Sequence, residues 1–134
     1  AIIDVYSRYI VGWGLSNTLD AASCLEVLRN AINQHGKPEI INSDQGSQFT
    51  CRQYVEYLKT KGIKISMDGK GRALDNIYIE RFWRTIKYQH IHLFPAVDGL
   101  SLYMGIKKWL ERYHYRSHQG IDRNKPSTLY LNAA

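Results

Sequence analysis

Asn76, Glu80, Arg84 and Lys87 recur at i, i+4, i+8 and i+11, a spacing that lines up side chains on one face of a helix. Ile79, Phe82, Trp83 and Ile86 recur at i, i+3, i+4 and i+7 and form the apolar stripe on the other face. A carboxylate followed by two cations can do two jobs along one helix. Glu80 offers hard oxygen ligands to a divalent metal ion, and Arg84 and Lys87 can follow a phosphate backbone. The same residues also suit a plain surface helix with a weak Glu80–Arg84 pair. A second carboxylate bears on the choice. Asp44 follows the apolar run Ile40-Ile41 and precedes Gln45-Gly46, with 35 residues between it and Glu80. Two-metal phosphoryl transfer needs carboxylates from separate rigid elements, because one element cannot hold both ions. Taken alone, Asp44 also reads as an Asx-turn closed by Gly46.

The elements that must position these residues follow from periodicity and punctuation. Residues 1–6 and 9–15 are β-branched and aromatic and are joined by Ser7-Arg8, which predicts an antiparallel hairpin. Asn17-Thr18 offers a helix cap, and Leu25, Leu28 and Ile32 repeat at helical spacing until Gly36 and Pro38. Residues 39–43 form a short, buried-type strand. Thr50 then caps a helix through Lys61, with Tyr54, Val55 and Leu58 inward and Gly62 as its stop. Residues 63–67 alternate as a half-buried strand. A glycine-bearing loop over 68–74 leads to Asp75, the expected cap of the Glu80 helix. In that loop Lys70 and Arg72 serve either as solvated charges or as a DNA clamp. A last long helix, capped by Ser101, carries the stripe Leu102, Ile106, Trp109, Leu110 and Tyr113. The tail from Arg116 is polar and irregular until Pro126 starts a short turn. The order is β-β-α-β-α-β-α-α, an α/β chain with a mixed sheet and flanking helices. Ligands of such sheets gather at the carboxyl ends of parallel strands, where Asp44 falls.

Composition narrows the function. The 134 residues fit one domain, and no apolar run or leader pattern suggests a membrane span or a signal peptide. Cys24 and Cys51 have no CxxC spacing, so reduced thiols and a cytoplasmic setting are expected. Net charge is +6, with seven Lys/Arg against six Asp/Glu in residues 1–66 and eleven against six in residues 67–134. That asymmetry points to a polyanion, of which nucleic acid is the commonest. His114 and His118 stand at i,i+4 but lack a third ligand nearby, so they read as polar or DNA-facing residues. None of the ten tyrosines is set off as a nucleophile by its neighbours.

Together these segments resemble the catalytic core of DDE transposases of bacterial insertion sequences, relatives of retroviral integrase. Residues 3–8 with Val11-Gly12-Trp13 resemble that family's second and third strands. Residues 43–50 resemble the motif around its second catalytic Asp. Residues 75–87, with Glu80-Arg81-Phe82-Trp83, resemble its catalytic Glu helix, at the family's usual second gap. Tyr115-Arg116-Ser117-His118-Gln119 and Lys125-Pro126 resemble its closing segment. The resemblance covers essentially the whole of residues 1–134, with 101–134 as the last helix and tail of the core.

The resemblance implies a ribonuclease-H-like fold and DNA cleavage and strand transfer with Mg²⁺ or Mn²⁺, two ions in the complete site. Asp44 and Glu80 would be the metal ligands, and Asn76, Arg84, Lys87, Lys70 and Arg72 the DNA contacts. The implied partners are transposon ends, target DNA and further copies of the chain, with no membrane and no small-molecule substrate, in the cytoplasm at the nucleoid. The family's first catalytic Asp lies on a strand upstream of the hairpin. This sequence starts without Met, inside what resembles the second strand, and Asp4 corresponds to a hairpin Asp. A truncated core, inactive alone for want of that first Asp, is therefore expected. The alternative is a catalytically defunct DNA-binding or oligomerisation module.

Overall fold

Leu25, Leu28, Tyr54, Leu58 and Ile63 form a buried cluster, and the elements that carry them follow one another much as the periodicity predicts. The computed structural model describes residues 1–18, 20–67 and 76–133. Strands β1 (Ile2–Ile3) and β2 (Ile10–Gly12) pair as a hairpin. Helix α1 (Ala21–His35) precedes β3 (Ile40–Ser43). A short helical turn, α2 (Ser47–Thr50), and helix α3 (Arg52–Thr60) lead to β4 (Lys64–Met67). Helix α4 (Ile77–Ile86) runs into a π-helical turn, Lys87–Ile91. It is followed by α5 (Gly99–Tyr115), a 3₁₀ turn at Gln119–Ile121, and α6 (Pro126–Ala133).

The chain divides into two compact units, Ala1–Ile2 with Val11–Ile77 and Ile3–Ile10 with Tyr78–Ala134. In the first, β3 and β4 are parallel, with Ile40 opposite Lys64 and Ser43 opposite Met67. Helix α3 supplies the crossover that parallel neighbours require. Ile41 and Ile65 pack on the Leu25–Leu58 cluster from the sheet side, where each fully buried aliphatic side chain contributes about 1.5–3 kcal/mol. Helix α1 lies close to the chain after β2. A Cβ on Gly14 would come within 2.8 Å of Val27 Cγ2, so glycine is what permits that approach. The core of the second unit is aromatic. Phe82 lies 5.6 Å from Tyr113 and 6.1 Å from Trp109, centroid to centroid, with Ile86, Ile106 and Leu110 also buried.

Several local expectations shift. The cap of α1 is Asp20 rather than Asn17 or Thr18. Its Oδ1 accepts the Ser23 N–H at 2.8 Å, and Thr18 donates to its Oδ2. Likewise Asp98, not Ser101, caps α5, accepting the Ser101 N–H at 2.7 Å. In both places the carboxylate stands on extended backbone three residues before the amide it satisfies. Thr50 does not cap α3. It ends α2, with its hydroxyl on the Gly46 carbonyl, and Cys51 precedes α3 without a side-chain cap. Strand β3 is not fully buried, since Ile40 is 55% exposed. Pro126 opens an eight-residue helix instead of a short turn, as its fixed φ and missing N–H allow at a first helical position. The sequence reading joins all the strands in one mixed sheet. Among the described residues the strands pair as two two-stranded sheets, β1 with β2 and β3 with β4. No described helix is long and apolar enough to cross a membrane. Leu19 and residues 68–75 lie outside the described residues, and with them Lys70, Arg72 and the Asp75 cap.

Candidate functional site

Asp44 directly follows the last residue of β3, where the strand gives way to a turn. Its Oδ1 accepts the Gly46 N–H at 2.8 Å, which is the Asx-turn the sequence allows. A Cβ at Gly46 would fall 2.9 Å from that oxygen and 2.8 Å from Gln48 Oε1, so a side chain there would push one of these flexible groups aside. The turn then starts α2, as Phe49 and Thr50 donate their N–H groups to the Gly46 carbonyl. The Asp44 side chain is exposed, and its Oδ2 takes no hydrogen bond among the described residues. An Asx-turn and a metal ligand are compatible, because the turn fixes one oxygen and leaves the other free.

Two residues earlier on β3, Asn42 faces Ser66 on β4 in register. Ser66 donates its hydroxyl to Asn42 Oδ1 at 3.0 Å, and Asn42 donates Nδ2 to Asn76 Oδ1 at 3.2 Å. Asn76 immediately precedes α4, so this relay ties the entrance of that helix to the parallel strand pair. Asn42 thus bonds to both Ser66 and Asn76, which no local sequence pattern marks. The sequence shows only an amide side chain in the strand Ile40-Ile41-Asn42-Ser43.

Glu80 stands in the first turn of α4, where a negative charge is favoured by the helix dipole. It is exposed and makes no ion pair with Arg84. Among the described residues the ion pair is Arg52–Glu56, at 2.8 Å. Arg84 instead sets its guanidinium 5.9 Å from the Tyr88 ring centroid. Lys87 is exposed and begins the π-helical turn, with its carbonyl accepting the His92 N–H. The stripe beneath is narrower than the periodicity suggests. Phe82 and Ile86 are buried, Ile79 is half-buried, and Trp83 is 39% exposed.

Asp44 and Asn76 belong to the first unit, and Glu80, Arg84 and Lys87 to the second. Among the described residues no three of His, Cys, Asp and Glu converge to hold a metal ion. Asp4 is committed to the hairpin turn, where its Oδ2 accepts both the Ser7 N–H and the Ser7 hydroxyl. His114 and His118 serve packing. His114 Nε2 accepts the Ile10 N–H at 3.1 Å, and its ring stacks on Tyr9. His118 donates Nε2–H to the Tyr113 carbonyl at 2.8 Å, and burial holds its pKa below the usual imidazole value. Burial also pushes the Tyr113 phenol up to about 12, so it stays protonated and donates to the Arg8 carbonyl.

Comparison with known proteins adds to this geometry. The Integrase core domain family matches residues 1–73, and a second Integrase core domain family matches residues 61–126. The chain is 34% identical over 128 residues to the transposase for insertion sequence element IS904 of Lactococcus lactis, covering 92% of this chain and 51% of that protein. It is 31% identical over 93 residues to transposase InsF for insertion sequence IS3A of Escherichia coli, covering 68% of this chain and 32% of that protein. The chain thus spans about half the length, or less, of these curated relatives. Among solved structures, the HTLV-2 integrase catalytic core domain in complex with magnesium superposes with a TM-score of 0.73 at 19% identity. That match covers 96% of this chain and 80% of the other. The simian T-cell lymphotropic virus intasome in complex with a PP2A regulatory subunit gives 0.80 at 14% identity, covering 96% and 46%. These likenesses establish the ribonuclease-H-like fold of retroviral integrase cores.

Proposed function

Because this chain belongs to the integrase core family that includes insertion-sequence transposases, we propose that it is the core of an enzyme that cuts DNA at the ends of a mobile element and joins them to target DNA. The observation that carries the proposal is the pair Asp44 and Glu80, with 35 residues between them, in a chain similar to a transposase over 92% of its length. Asp44 and Glu80 would hold Mg²⁺ or Mn²⁺, two ions in the complete site. Their chemistry fits, since both are exposed carboxylates free of Lys and Arg partners among the described residues. When bound, such ions activate the attacking oxygen and stabilise the leaving one. The chain's own residues do the rest. Gly46 N–H keeps the Asp44 carboxylate oriented. Asn42 holds Asn76 at the start of the Glu80 helix, leaving the Asn76 Nδ2 for DNA. Arg84 and Lys87 neutralise phosphates along the same helix, joined by Lys70 and Arg72. Transposon ends, target DNA and further copies of the chain are the partners, with the bacterial nucleoid as the setting.

The test is cutting and joining of plasmid DNA by protein carrying this core in its full coding context. Nicked plasmid with Mg²⁺, strand-transfer products from a donor with a free 3′-hydroxyl, and loss of both in Asp44→Asn and Glu80→Gln are expected. DNA binding without cutting in any metal would favour a defunct DNA-binding module instead.

A further inference from the structure

On the second unit an open groove of about 660 Å³ runs between the π-helical turn after α4 and the C-terminal half of α5. Its floor is the buried pair Trp109 and Tyr113, whose rings stack 5.2 Å apart. Tyr88 and Tyr115, 66% and 67% exposed, also line the groove, the Tyr88 ring with His92 at 5.6 Å between centroids. Arg112 and Arg116 also line it, and no carboxylate does. Neither arginine is ion-paired among the described residues. Arg116 is nevertheless held in place, donating Nη2–H to Gln89 Oε1 at 2.8 Å. Arg84 adds a further guanidinium 5.9 Å from the Tyr88 ring centroid. Exposed tyrosines and arginines are common singly. Here two of each share one groove around an aromatic floor, with a guanidinium positioned by a neutral partner.

We propose that this groove binds a single-stranded stretch of DNA, with bases stacked on Tyr88 and Tyr115 and phosphates on Arg112 and Arg116. Positive charge without a compensating acid calls for a polyanion, and exposed ring faces call for flat ligands whose own faces are free. Unpaired bases on a phosphate backbone meet both needs, whereas in a duplex the faces are already stacked. The proposal rests on the reading of the chain as a DNA-processing core. It adds a site for a frayed end or a displaced strand, outside the carboxylates.

The probe is a short single-stranded oligonucleotide carrying 2-aminopurine, titrated into the full 134-residue chain in EDTA. The variants are Tyr88→Leu with Tyr115→Leu, and Arg112→Gln with Arg116→Gln. Lys107→Gln, on an exposed part of α5, controls for lost charge, and circular dichroism verifies folding. Each double variant is expected to weaken binding roughly tenfold or more. The tyrosine pair should also abolish the quenching of 2-aminopurine. The arginine pair should reduce the slope of log affinity against log salt by about 1.4. Wild-type affinity in both double variants, no binding by the wild type, or equal loss in Lys107→Gln would overturn the proposal. So would loss of self-association in the tyrosine variant with oligonucleotide binding intact, which would make the groove a contact between copies. Binding is read without metal, so failure of DNA cutting with groove binding retained would count against the proposed function alone.

Discussion

Replacing Phe82 by Ala tests the packing that sets the Glu80 helix in its unit. Phe82 is 3% exposed, and its ring meets those of Trp83, Trp109 and Tyr113 at centroid distances of 5.2, 6.1 and 5.6 Å. Truncating a buried Phe to Ala costs about 3–5 kcal/mol, transfer and cavity together. A domain has about 5–15 kcal/mol in all, so about a fifth or more of the stability is at stake. With a urea slope of about 1–3 kcal/mol/M, the unfolding midpoint should fall by about 2 M. The comparison is Trp83→Ala, one position along but 39% exposed. Its truncation should cost no more than about 2 kcal/mol and move the midpoint by less than half as much. The assay is urea unfolding followed by far-UV circular dichroism, so that losing a tryptophan does not alter the signal. Equal shifts for the two variants, or a shift under about 0.5 M for Phe82→Ala, would refute the assignment of Phe82 as the buried anchor.

Two further outcomes follow from the caps and the buried imidazole. Asp98→Ala should lower the melting temperature more than Ser101→Ala, because the Asp98 carboxylate satisfies the N-terminal amide of α5. Its pKa is held low first by the Ser101 backbone N–H and then by the Ser101 side chain. Stability from this cap should therefore be present above the ordinary Asp range and lost as pH falls through the depressed value. His118 has a folded pKa below 6.5, mainly through burial. The folded state then binds fewer protons than the unfolded one in that window, so stability should decline as pH drops below about 6.5. His118→Gln, which keeps a donor for the Tyr113 carbonyl, should flatten this decline in thermal melts between pH 7 and pH 5. An unchanged slope would show that other groups govern the acid side.

Much of this was legible in the residues. The Leu25–Leu28 and Ile106–Trp109–Leu110–Tyr113 spacings found both cores, because burial at helical period is written directly in apolar positions. Gly36 and Gly62, both at positive φ, ended the helices they were expected to end. The caps were misplaced because Asn17, Thr18, Asp20 and Ser23 are all competent acceptors, and only the backbone entry angle selects one of them. Trp83 was placed on the apolar stripe because periodicity counts every large apolar residue alike, whereas packing had room for Phe82 and Ile86. At the site, the Asp44–Gly46 turn was visible in three consecutive residues. The Asn42–Asn76 hydrogen bond was not, since it joins residues 34 positions apart through a strand register that no local pattern encodes. The Tyr88–Tyr115 groove escaped for the same reason. Its walls come from two elements whose side chains look, in sequence, like ordinary aromatic filling.

Metal binding at the two carboxylates is the most direct test of the account. Mn²⁺ should be titrated into the 134-residue chain, and into its Asp44→Asn and Glu80→Gln variants, with the free ion followed by electron paramagnetic resonance. The wild type is expected to withdraw Mn²⁺ from solution, either substitution to weaken this at least tenfold, and Mg²⁺ to compete. Binding unchanged in both variants, or dependent on only one of the two residues, would contradict this expectation.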